Sequence, residues 1–310
     1  MAETTLLQFL HPRYWFSWLG LLLVSITLYF PVNIQLKLGK FISLIISPLV
    51  KKRFAIARRN LELCYPELSE QQREDLIEKL TFSVGMMPIE TALSWWASDS
   101  QLRKRVTYEG LEHLDAALEK GKGVILLTGH FTSMELGGRL IMLRTPCHVM
   151  FREMNNKLFN AVMMRARIKH SEGIVLQKDP RTMVRALRKN KVIWYAPDQD
   201  FGPKPSIFAK FFGVTAATIP ATSRLVKMSG AAVIPFVPRR DENGHYTLTL
   251  GKALDNFPTG DELADAQRIN DVIEQEIRQS PEQYFWVHRR FKTQANQNKG
   301  SLYKSTNTGQ

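Results

Sequence analysis

Cysteine is scarce in this sequence of 310 residues, which contains only Cys64 and Cys147. Two cysteines cannot supply the disulfide framework of a small secreted domain, and such scarcity favours a reducing compartment. Either thiol could be a nucleophile, but a buried structural cysteine is the commoner situation. The fold must therefore rest on a hydrophobic core, which a chain of this length can form.

Acidic residues are absent from Thr4 to Leu61, where eight lysines and arginines occur. Seven of these eight follow an apolar stretch, Tyr14 to Val32, in which 19 residues carry no charge. That length is about the minimum for crossing a bilayer core, and no small-residue cleavage site follows, so the stretch predicts a retained transmembrane helix. The distribution of positive charge then places the rest of the protein on the cytoplasmic side.

A second apolar run, Phe41 to Val50, is too short to span a membrane and is followed by basic residues. This pattern predicts a segment that lies in the membrane interface beside a basic helix. A nucleic-acid-binding arm is the competing interpretation of the basic residues, but their apolar neighbours favour membrane contact.

Internal repeats, low-complexity domains and a His-Glu-x-x-His zinc motif are also missing, so a zinc site is not predicted. The composition, with 44% hydrophobic and 23% charged residues, is that of an ordinary globular domain and excludes wholesale disorder. A formal net charge of +13 indicates an acidic partner, such as a phosphorylated substrate, an anionic membrane, an acidic protein or a nucleic acid.

Alternating apolar runs and helical segments after Arg103 predict an α/β fold with a mostly parallel sheet flanked by helices. A capping-box sequence at Ser69 opens a helix that is expected to run to about Trp96. Seven strands are predicted: 106–109, 124–128, 148–152, 173–177, 192–196, 232–237 and 246–250. The last two are expected to form a closing hairpin around Asn243-Gly244. The predicted organisation is an anchor (1–35), a basic interfacial and helical segment (36–104), an α/β domain (105–293) and a flexible tail (294–310).

His130 is the first candidate for chemistry, because it follows the predicted strand 124–128 directly. Ligands and catalytic groups in open α/β sheets collect at the carboxyl ends of strands, and backbone N–H groups at the start of the following helix, after Phe131, could stabilise an oxyanion. Glu135 follows with four residues between, and a carboxylate at that distance could orient the imidazole as a general base. The competing interpretation is a capping box from Thr132 to Glu135, in which the glutamate only satisfies the start of a helix.

Three further groups of polar residues follow strands or lie near the end of the chain. Arg152, with Asn155 and Asn156, follows the third strand and could bind a phosphate or carboxylate, or form a surface ion pair with Glu153. Asp198 and Asp200 open a loop after the strand 192–196, where they could bind a divalent ion, hydrogen-bond substrate hydroxyls or form a solvated turn.

Near the C-terminus, aromatic residues precede His288, Arg289 and Arg290. Arginine stacked on aromatic rings can recognise phosphate, so the two arginines are candidate substrate-binding residues, although a solvated strand end is the alternative. His288 is interpreted as a structural histidine.

With these residues assembled, the chain resembles the bacterial lipid A late acyltransferases, the lauroyl and myristoyl transferase family within the wider glycerolipid acyltransferase group. Six blocks in the right order carry the resemblance: Leu10 to Trp15, Arg59 to Glu67, His130 to Glu135, Tyr195 to Asp200, Ile234 to Arg240 and Tyr284 to Lys292. The opening block and the His130 block look more like the lauroyl branch than the myristoyl branch.

The resemblance implies transfer of a fatty acyl chain, lauroyl or similar, from acyl carrier protein to a hydroxyl on an acyl chain of the Kdo-bearing, phosphorylated lipid A precursor. It implies no cofactor, no metal and no nucleic-acid partner, and it places the reaction at the cytoplasmic face of the inner membrane. His130 and Glu135 match the catalytic pair of the family. Arg152 matches a position that binds acceptor phosphate, and Asp198 to Asp200 match a further substrate-binding motif.

Two alternatives remain open at this stage. Asp198 and Asp200 could serve a membrane-attached, metal-dependent glycosyltransferase, or the chain could be a basic membrane-bound adaptor without activity. The length of the transferred chain, the acceptor position and the oligomeric state are not given by the sequence.

Overall fold

A computed structural model of the chain describes residues 6–151, 153–176, 179–296 and 301–303. The strands are β1 Val106–Glu109, β2 Val124–Leu127, β3 Cys147–Phe151, β4 Gly173–Leu176, β5 Val192–Tyr195, β6 Ile207–Phe211, β7 Val214–Thr218, β8 Ala232–Arg240 and β9 Tyr246–Leu250. The α-helices are α1 Trp15–Ile26, α2 Val32–Leu49, α3 Lys51–Cys64, α4 Glu70–Trp96, α5 Asp99–Arg103, α6 Leu111–Glu119, α7 Met134–Ile141, α8 Lys157–His170, α9 Pro180–Arg188, α10 Ala221–Ser229 and α11 Glu262–Gln279.

Seven strands form one sheet in the order β1-β9-β8-β2-β5-β3-β4. All neighbouring pairs are parallel except β8 and β9, which form the predicted antiparallel hairpin. The central strands β2 and β5 are buried along their whole length, because helices cover both faces of the sheet. The predicted α/β class and mostly parallel sheet are therefore confirmed.

A second, two-stranded sheet was not predicted from the sequence. It consists of β6 and β7, which are antiparallel and joined by Phe212 and Gly213, both with positive φ. These strands follow a loop rich in proline and glycine and are short and mixed in polarity, so the period-2 signal of a strand is weak there.

The N-terminal apolar stretch does not form the single helix from Tyr14 to Val32 that the sequence predicts. Helix α1 has 12 residues, a 3₁₀ turn follows at Thr27–Tyr29, and α2 starts only after the extended Pro31. The break is stabilised by Gln35, whose buried side-chain amide donates hydrogen bonds to the carbonyls of Thr27 and Phe30. The proline interrupts the helix because it lacks an N–H group and restricts the residue before it.

Helix α2 is the one helix in the described residues that is long and apolar enough to cross a membrane by length and composition. It includes the run Phe41 to Val50 only in part, and the basic helix α3 begins directly after Val50. The capping box at Ser69 is formed, and α4 runs to Trp96 as predicted.

Part of the predicted flexible tail is packed on the protein. Tyr303 is buried, and its hydroxyl donates a hydrogen bond to the side-chain oxygen of Asn60 in α3. Arg59 donates to the carbonyl of Leu302. The prediction of a flexible tail is therefore wrong for residues 301–303, because an aromatic side chain there fills a hydrophobic site, whereas residues 297–300 and 304–310 lie outside the described residues.

A buried ion pair ties α4 to the hairpin of β8 and β9. Arg240 Nε donates to Glu90 Oε1 at 3.0 Å, and the hydroxyl of Tyr246 donates to the same oxygen at 2.9 Å. All three side chains are buried. Burial raises the pKa of the Glu90 carboxyl, whereas Arg240 and the two hydrogen bonds favour its charged form.

We expect Arg240→Ala to lower the free energy of unfolding by about 3–5 kcal/mol, because it leaves a buried carboxylate without its partner. Denaturant-induced unfolding of the detergent-solubilised protein, followed by circular dichroism, measures the change. The matched control is Arg224→Ala, which breaks the exposed Arg224–Glu262 pair and is expected to cost no more than about 1 kcal/mol. Equal effects of the two substitutions would contradict a special role for the buried pair.

Candidate functional site

The register of two neighbouring strands brings His130 and Asp198 together. Leu127, the last residue of β2, pairs with Tyr195, the last residue of β5. His130 lies three residues beyond the first strand end and Asp198 three residues beyond the second. Because β2 and β5 are adjacent and parallel, both side chains emerge at the same carboxyl edge of the sheet.

Asp198 holds His130 through both of its carboxylate oxygens. His130 Nδ1 lies 2.5 Å from Asp198 Oδ1, and the His130 backbone N–H donates to Oδ2 at 2.8 Å. The hydroxyl of Tyr284 donates to Oδ2 at 2.7 Å. With Nδ1–H committed to Asp198, the neutral imidazole has its basic lone pair on Nε2.

The C-terminal segment after α11 fixes the loop that carries His130. The backbone N–H of Phe285 donates to the carbonyl of His130 at 2.8 Å, and the N–H of Thr132 donates to the carbonyl of Gln283 at 2.8 Å. Gly129 lets the loop pass close to these side chains, because an added Cβ would lie 3.2 Å from the Tyr284 ring, a tight contact, and 3.5 Å from Asp198 Oδ2. Tyr284 therefore serves the site through Asp198 and through the backbone of its own segment.

The charged forms of His130 and Asp198 stabilise each other. Burial opposes the charged imidazolium, but the neighbouring Asp198 carboxylate outweighs that effect and raises the pKa of His130. Burial also disfavours ionised Asp198, yet the imidazole and the hydrogen bonds from His130 and Tyr284 hold the pKa of the Asp198 carboxyl well below its ordinary value. Asp198 is thus a carboxylate at neutral pH that stabilises a proton taken up by His130.

Glu135 does not make the predicted hydrogen bond to the imidazole. Because α7 begins only at Met134, Glu135 lies in its first turn, and its side chain points toward α4 and α8. Its carboxylate accepts hydrogen bonds from Arg167 Nη2 at 2.5 Å and Nε at 3.1 Å, and from the indole N–H of Trp95 at 2.9 Å. Burial opposes its ionisation, but Arg167 and Trp95 lower the pKa of Glu135. The alternative capping box is not formed either, since the N-cap is Ser133 without a side-chain hydrogen bond.

His130 and Glu135 nevertheless line the same cavity, which has a volume of about 740 Å³. That volume is typical of sites for small molecules and cofactors. The polar lining groups are His130, Glu135, Arg167, Gln199, Asn155 and Asn156, among others. The apolar lining includes Met134, Met150, Met154, Met163, Phe151, Phe159 and Phe201. Methionine side chains adapt to flexible apolar ligands, so the cavity suits an alkyl chain whose polar end lies beside His130.

Only some of the other predicted substrate-binding residues lie at the cavity. Asn155 lines the cavity, whereas Arg152 lies outside the described residues. Asp200 accepts hydrogen bonds from the backbone N–H groups of Gly202 and Thr293, and from the Thr293 hydroxyl, so it shapes its own loop.

The two C-terminal arginines lie outside the lining of the cavity. Arg289 is exposed and contacts the ring of Tyr303. Arg290 is 3% exposed and donates hydrogen bonds to the carbonyl of Ala217 and the hydroxyl of Thr218. The prediction that Arg290 binds substrate is not supported, because its guanidinium is used within the protein to secure β7. His288 accepts a hydrogen bond from the backbone N–H of Asp200, as expected of a structural histidine.

Two chemical possibilities raised by the sequence can be compared with this geometry. The N–H groups of Phe131, Thr132 and Met134 donate to protein carbonyls, so these three do not form the predicted oxyanion-binding site at the start of α7. No group of three or more His, Cys, Asp or Glu side chains in the described part of the chain could hold a metal ion. All four carboxylate oxygens of Asp198 and Asp200 accept hydrogen bonds from protein donors.

Sequence reasoning missed Arg167, Trp95 and Tyr284 as members of the site. Tyr284 lies in the block from Tyr284 to Lys292, in which the sequence points to Arg289 and Arg290 instead. Arg167 and Trp95 lie 32 and 40 positions from Glu135 on other helices, and no local signal marks them, because only the packing of α4 and α8 brings them there.

Comparison with known proteins gives consistent matches. A family model described as bacterial lipid A biosynthesis acyltransferase matches residues 3–293. The chain is 40% identical over 289 residues to the lipid A biosynthesis palmitoleoyltransferase of Escherichia coli (strain K12), an alignment that covers 92% of this chain and 94% of that protein. It is 37% identical over 286 residues to the lipid A biosynthesis lauroyltransferase of the same organism, with coverage of 92% and 94%. It is 38% identical over 301 residues to a lipid A biosynthesis acyltransferase of Haemophilus influenzae, with coverage of 96% of both chains.

Proposed function

Because the chain belongs to the bacterial lipid A biosynthesis acyltransferase family, we propose that it transfers a fatty acyl group from acyl carrier protein to a hydroxyl on an acyl chain of the Kdo-bearing lipid A precursor. The family assignment makes the protein an acyltransferase with a lipid A precursor as substrate. The donor, the transferred chain and the roles of individual residues belong to the proposal. The observation that carries it is the His130–Asp198 pair at the wall of a large, mostly apolar cavity.

His130 acts as the general base in this proposal. Its Nε2 takes the proton of the acceptor hydroxyl while the hydroxyl oxygen attacks the thioester carbonyl carbon. The carbon–sulfur bond then breaks, and the imidazolium returns its proton to the thiolate leaving group. A thioester is already activated, so no acyl-enzyme intermediate is required. Asp198 orients the ring and stabilises the imidazolium. It does not itself become protonated, because its pKa remains low.

Glu135 and Arg167 form the charged part of the cavity wall. Their ion pair is mostly buried, with side-chain exposures of 20% and 15%. We place Glu135 in the site as a positioning residue, because it fixes the guanidinium of Arg167 at the same cavity. Arg167 supplies positive charge near the reacting centre, where an oxyanion develops in acyl transfer. Asn155, and Arg152 by the family resemblance, are proposed to contact the acceptor.

The donor assignment is tested by incubating the purified full chain with acyl carrier protein thioesters of different chain lengths and with the lipid precursor. Mass spectrometry of the lipid product identifies the acyl group that is added. We expect transfer of a lauroyl or similar chain from the carrier. Absence of any acylated product with every thioester would overturn the proposed donor, and transfer of a sugar instead would overturn the proposed reaction.

The rate is expected to depend on pH through His130. A general base must be neutral, and Asp198 raises the pKa of this imidazole above its ordinary value. As the pH falls through the raised pKa, the imidazole becomes protonated and the rate declines tenfold per pH unit. The pH profile of kcat/KM measures this limb, whose midpoint should lie above about 6.5, the ordinary value for histidine. A rate independent of pH from 5 to 9 would contradict histidine base catalysis.

A further inference from the structure

We propose that α1 and α2 attach the protein to one leaflet of the membrane from the cytoplasmic side, as two helices lying along the surface, rather than by a transmembrane span. The inference rests on the proposed function for the identity of the membrane and its face. The occupant of the exposed apolar surface is then the lipid leaflet itself. The N-terminus and the α/β body lie on the same side of the bilayer.

The dimensions of α1 do not allow it to cross a membrane. Its 12 residues are about 18 Å long at 1.5 Å per residue. The hydrocarbon core of a bilayer is about 30 Å thick. The helix ends in a 3₁₀ turn and the extended Pro31, so the apolar stretch cannot be extended into one longer helix.

Helix α2 is long enough, but it is fixed to the body of the protein. Gly39 and Ser43 are buried against α4, and a Cβ on Gly39 would overlap the sulfur of Met86. A Cβ on Gly85 would likewise overlap the carbonyl oxygen of Gly39. Small residues on both helices thus bring the two backbones into close contact, as in tightly packed helix pairs.

Helix α4 cannot leave the body to accompany α2 into a membrane. It carries the buried Glu90 that pairs with Arg240, and its Trp95 donates a hydrogen bond to Glu135 in the candidate site. Its first half also carries several charged residues, including Arg73, Glu74 and Asp75. A transmembrane α2 would have to break its contacts with α4 along its length.

The outer surface of α1, α2 and the short segments on either side of α1 is apolar and exposed. Fourteen of the twenty-one exposed large hydrophobic side chains in the described residues lie between Leu7 and Leu49. They are Leu7, Leu10, Trp15, Phe16, Leu19, Leu22, Leu23, Ile26, Tyr29, Phe30, Phe41, Leu44, Ile45 and Leu49. An exposed apolar surface of this extent marks an interaction site.

Charge and side-chain type identify lipid as the partner. The sequence from Thr4 to Leu61 contains no acidic residue, and exposed cations flank the apolar side chains: Arg13, Lys37, Lys40, Lys51, Lys52 and Arg53. Cations beside an apolar helix face match the anionic headgroups and the acyl region of one leaflet. Trp15 and Tyr29, at the two ends of the α1 segment, are residue types that concentrate at membrane interfaces.

Helix α1 also packs directly on the wall of the cavity. Leu21 and Trp18 of α1 belong to one hydrophobic cluster with Trp95, Phe159 and Met163. The last three residues also line the cavity. Asn156 at the cavity also donates a hydrogen bond to the hydroxyl of Ser17. A leaflet covering α1 would therefore lie next to the site and give a lipid acceptor a short lateral path into it.

Labelling with a membrane-impermeant maleimide tests the topology. One variant carries a cysteine in a short tag before Met1, another is Glu112→Cys on the exposed face of α6, and a third is Gly20→Cys, where an added Cβ meets no other atom within 4 Å. Cys64 and Cys147 are buried, so the parent protein serves as the blank. We expect the tag and Glu112→Cys to react in inverted membrane vesicles and not in spheroplasts. Gly20→Cys should react only after detergent is added.

Labelling of the tag in spheroplasts would show a transmembrane span and overturn the proposal. Reaction of Gly20→Cys in intact vesicles would show that lipid does not cover α1, and would overturn it as well. Neither result depends on acyl transfer, which is measured separately. A protein without transferase activity that shows the expected labelling would refute the proposed function and leave the membrane attachment standing.

A matched pair of substitutions separates lipid from a protein partner. Leu19 in α1 and Leu263 in α11 are both 52% exposed. We expect Leu19→Glu to reduce co-flotation of the purified protein with vesicles of phosphatidylethanolamine and phosphatidylglycerol at least tenfold, because it places a charge among acyl chains. Leu263→Glu should leave flotation within twofold of the parent. Failure of the parent protein to float with these vesicles, or equal behaviour of the two variants, would overturn the proposal.

Discussion

His130→Ala is expected to lower the rate of acyl transfer by a factor on the order of 10² to 10⁴, the usual contribution of a positioned general base. The imidazole lies at the wall of the cavity with Nδ1 bound to Asp198, so Nε2 is the nitrogen left to take a proton from the acceptor. The value of kcat is measured with saturating carrier thioester and lipid precursor, and the lipid product is quantified by mass spectrometry.

The control for this substitution is His245→Ala. His245 lies between β8 and β9 and interacts with the hydroxyl of Thr107, at the side of the sheet formed by β1 and β9. Its removal should leave kcat within twofold. Both variants should partition into membranes like the parent protein. A smaller amount of membrane-bound protein is then excluded as the cause of the lower rate. Retention of more than about a tenth of the rate by His130→Ala would contradict the assigned role.

Asp198→Asn is expected to reduce kcat by on the order of 10³ to 10⁴, similar to the loss seen when the carboxylate behind a catalytic histidine is replaced by an amide. The carboxylate oxygens accept two hydrogen bonds from His130 and one from Tyr284. An asparagine side chain offers only one acceptor oxygen, and its NH₂ group facing Nδ1 would favour the wrong tautomer. Because the negative charge that raises the pKa of His130 is lost, any residual activity should have its acidic limb at lower pH.

Two matched variants distinguish this role from a structural one. Asp200→Asn changes the same side chain two positions away, where the carboxylate binds Gly202 and Thr293, and should keep the rate within about tenfold. Glu135→Gln breaks the Arg167 pair and should also reduce turnover strongly, yet without moving the acidic limb, because Glu135 makes no hydrogen bond to the imidazole. A shifted limb in Glu135→Gln and an unchanged one in Asp198→Asn would reverse the two assignments.

The two carboxylates thus have different environments although the sequence suggested one catalytic pair. Asp198 is fully enclosed and faces the imidazole, whereas Glu135 faces a guanidinium and an indole. Both pKa values are depressed, each by a different cation. The spacing from His130 to Glu135 predicted a contact that the structure does not contain, since a five-residue separation across the start of a helix does not fix where a side chain points.

Local sequence determined the order and type of most elements of this protein. Apolar runs, a capping box at Ser69 and an Asn-Gly turn in the hairpin are short-range signals, and the corresponding helix and strands were found at the expected positions. Local sequence also placed His130 and Asp198 directly after strands. The six sequence blocks were sufficient to indicate the family to which the comparisons assign the chain.

Only the tertiary structure decided which side chains meet. That β2 lies beside β5 in a register pairing Leu127 with Tyr195 is a property of the whole sheet, and it is what brings Asp198 to His130. The approach of Arg167 to Glu135, and the folding of the N-terminal apolar residues into two helices on α4, likewise depend on packing between distant segments. Periodicity and capping act within a few residues, whereas burial of apolar faces and pairing of charges act between residues that are close only after the chain has folded.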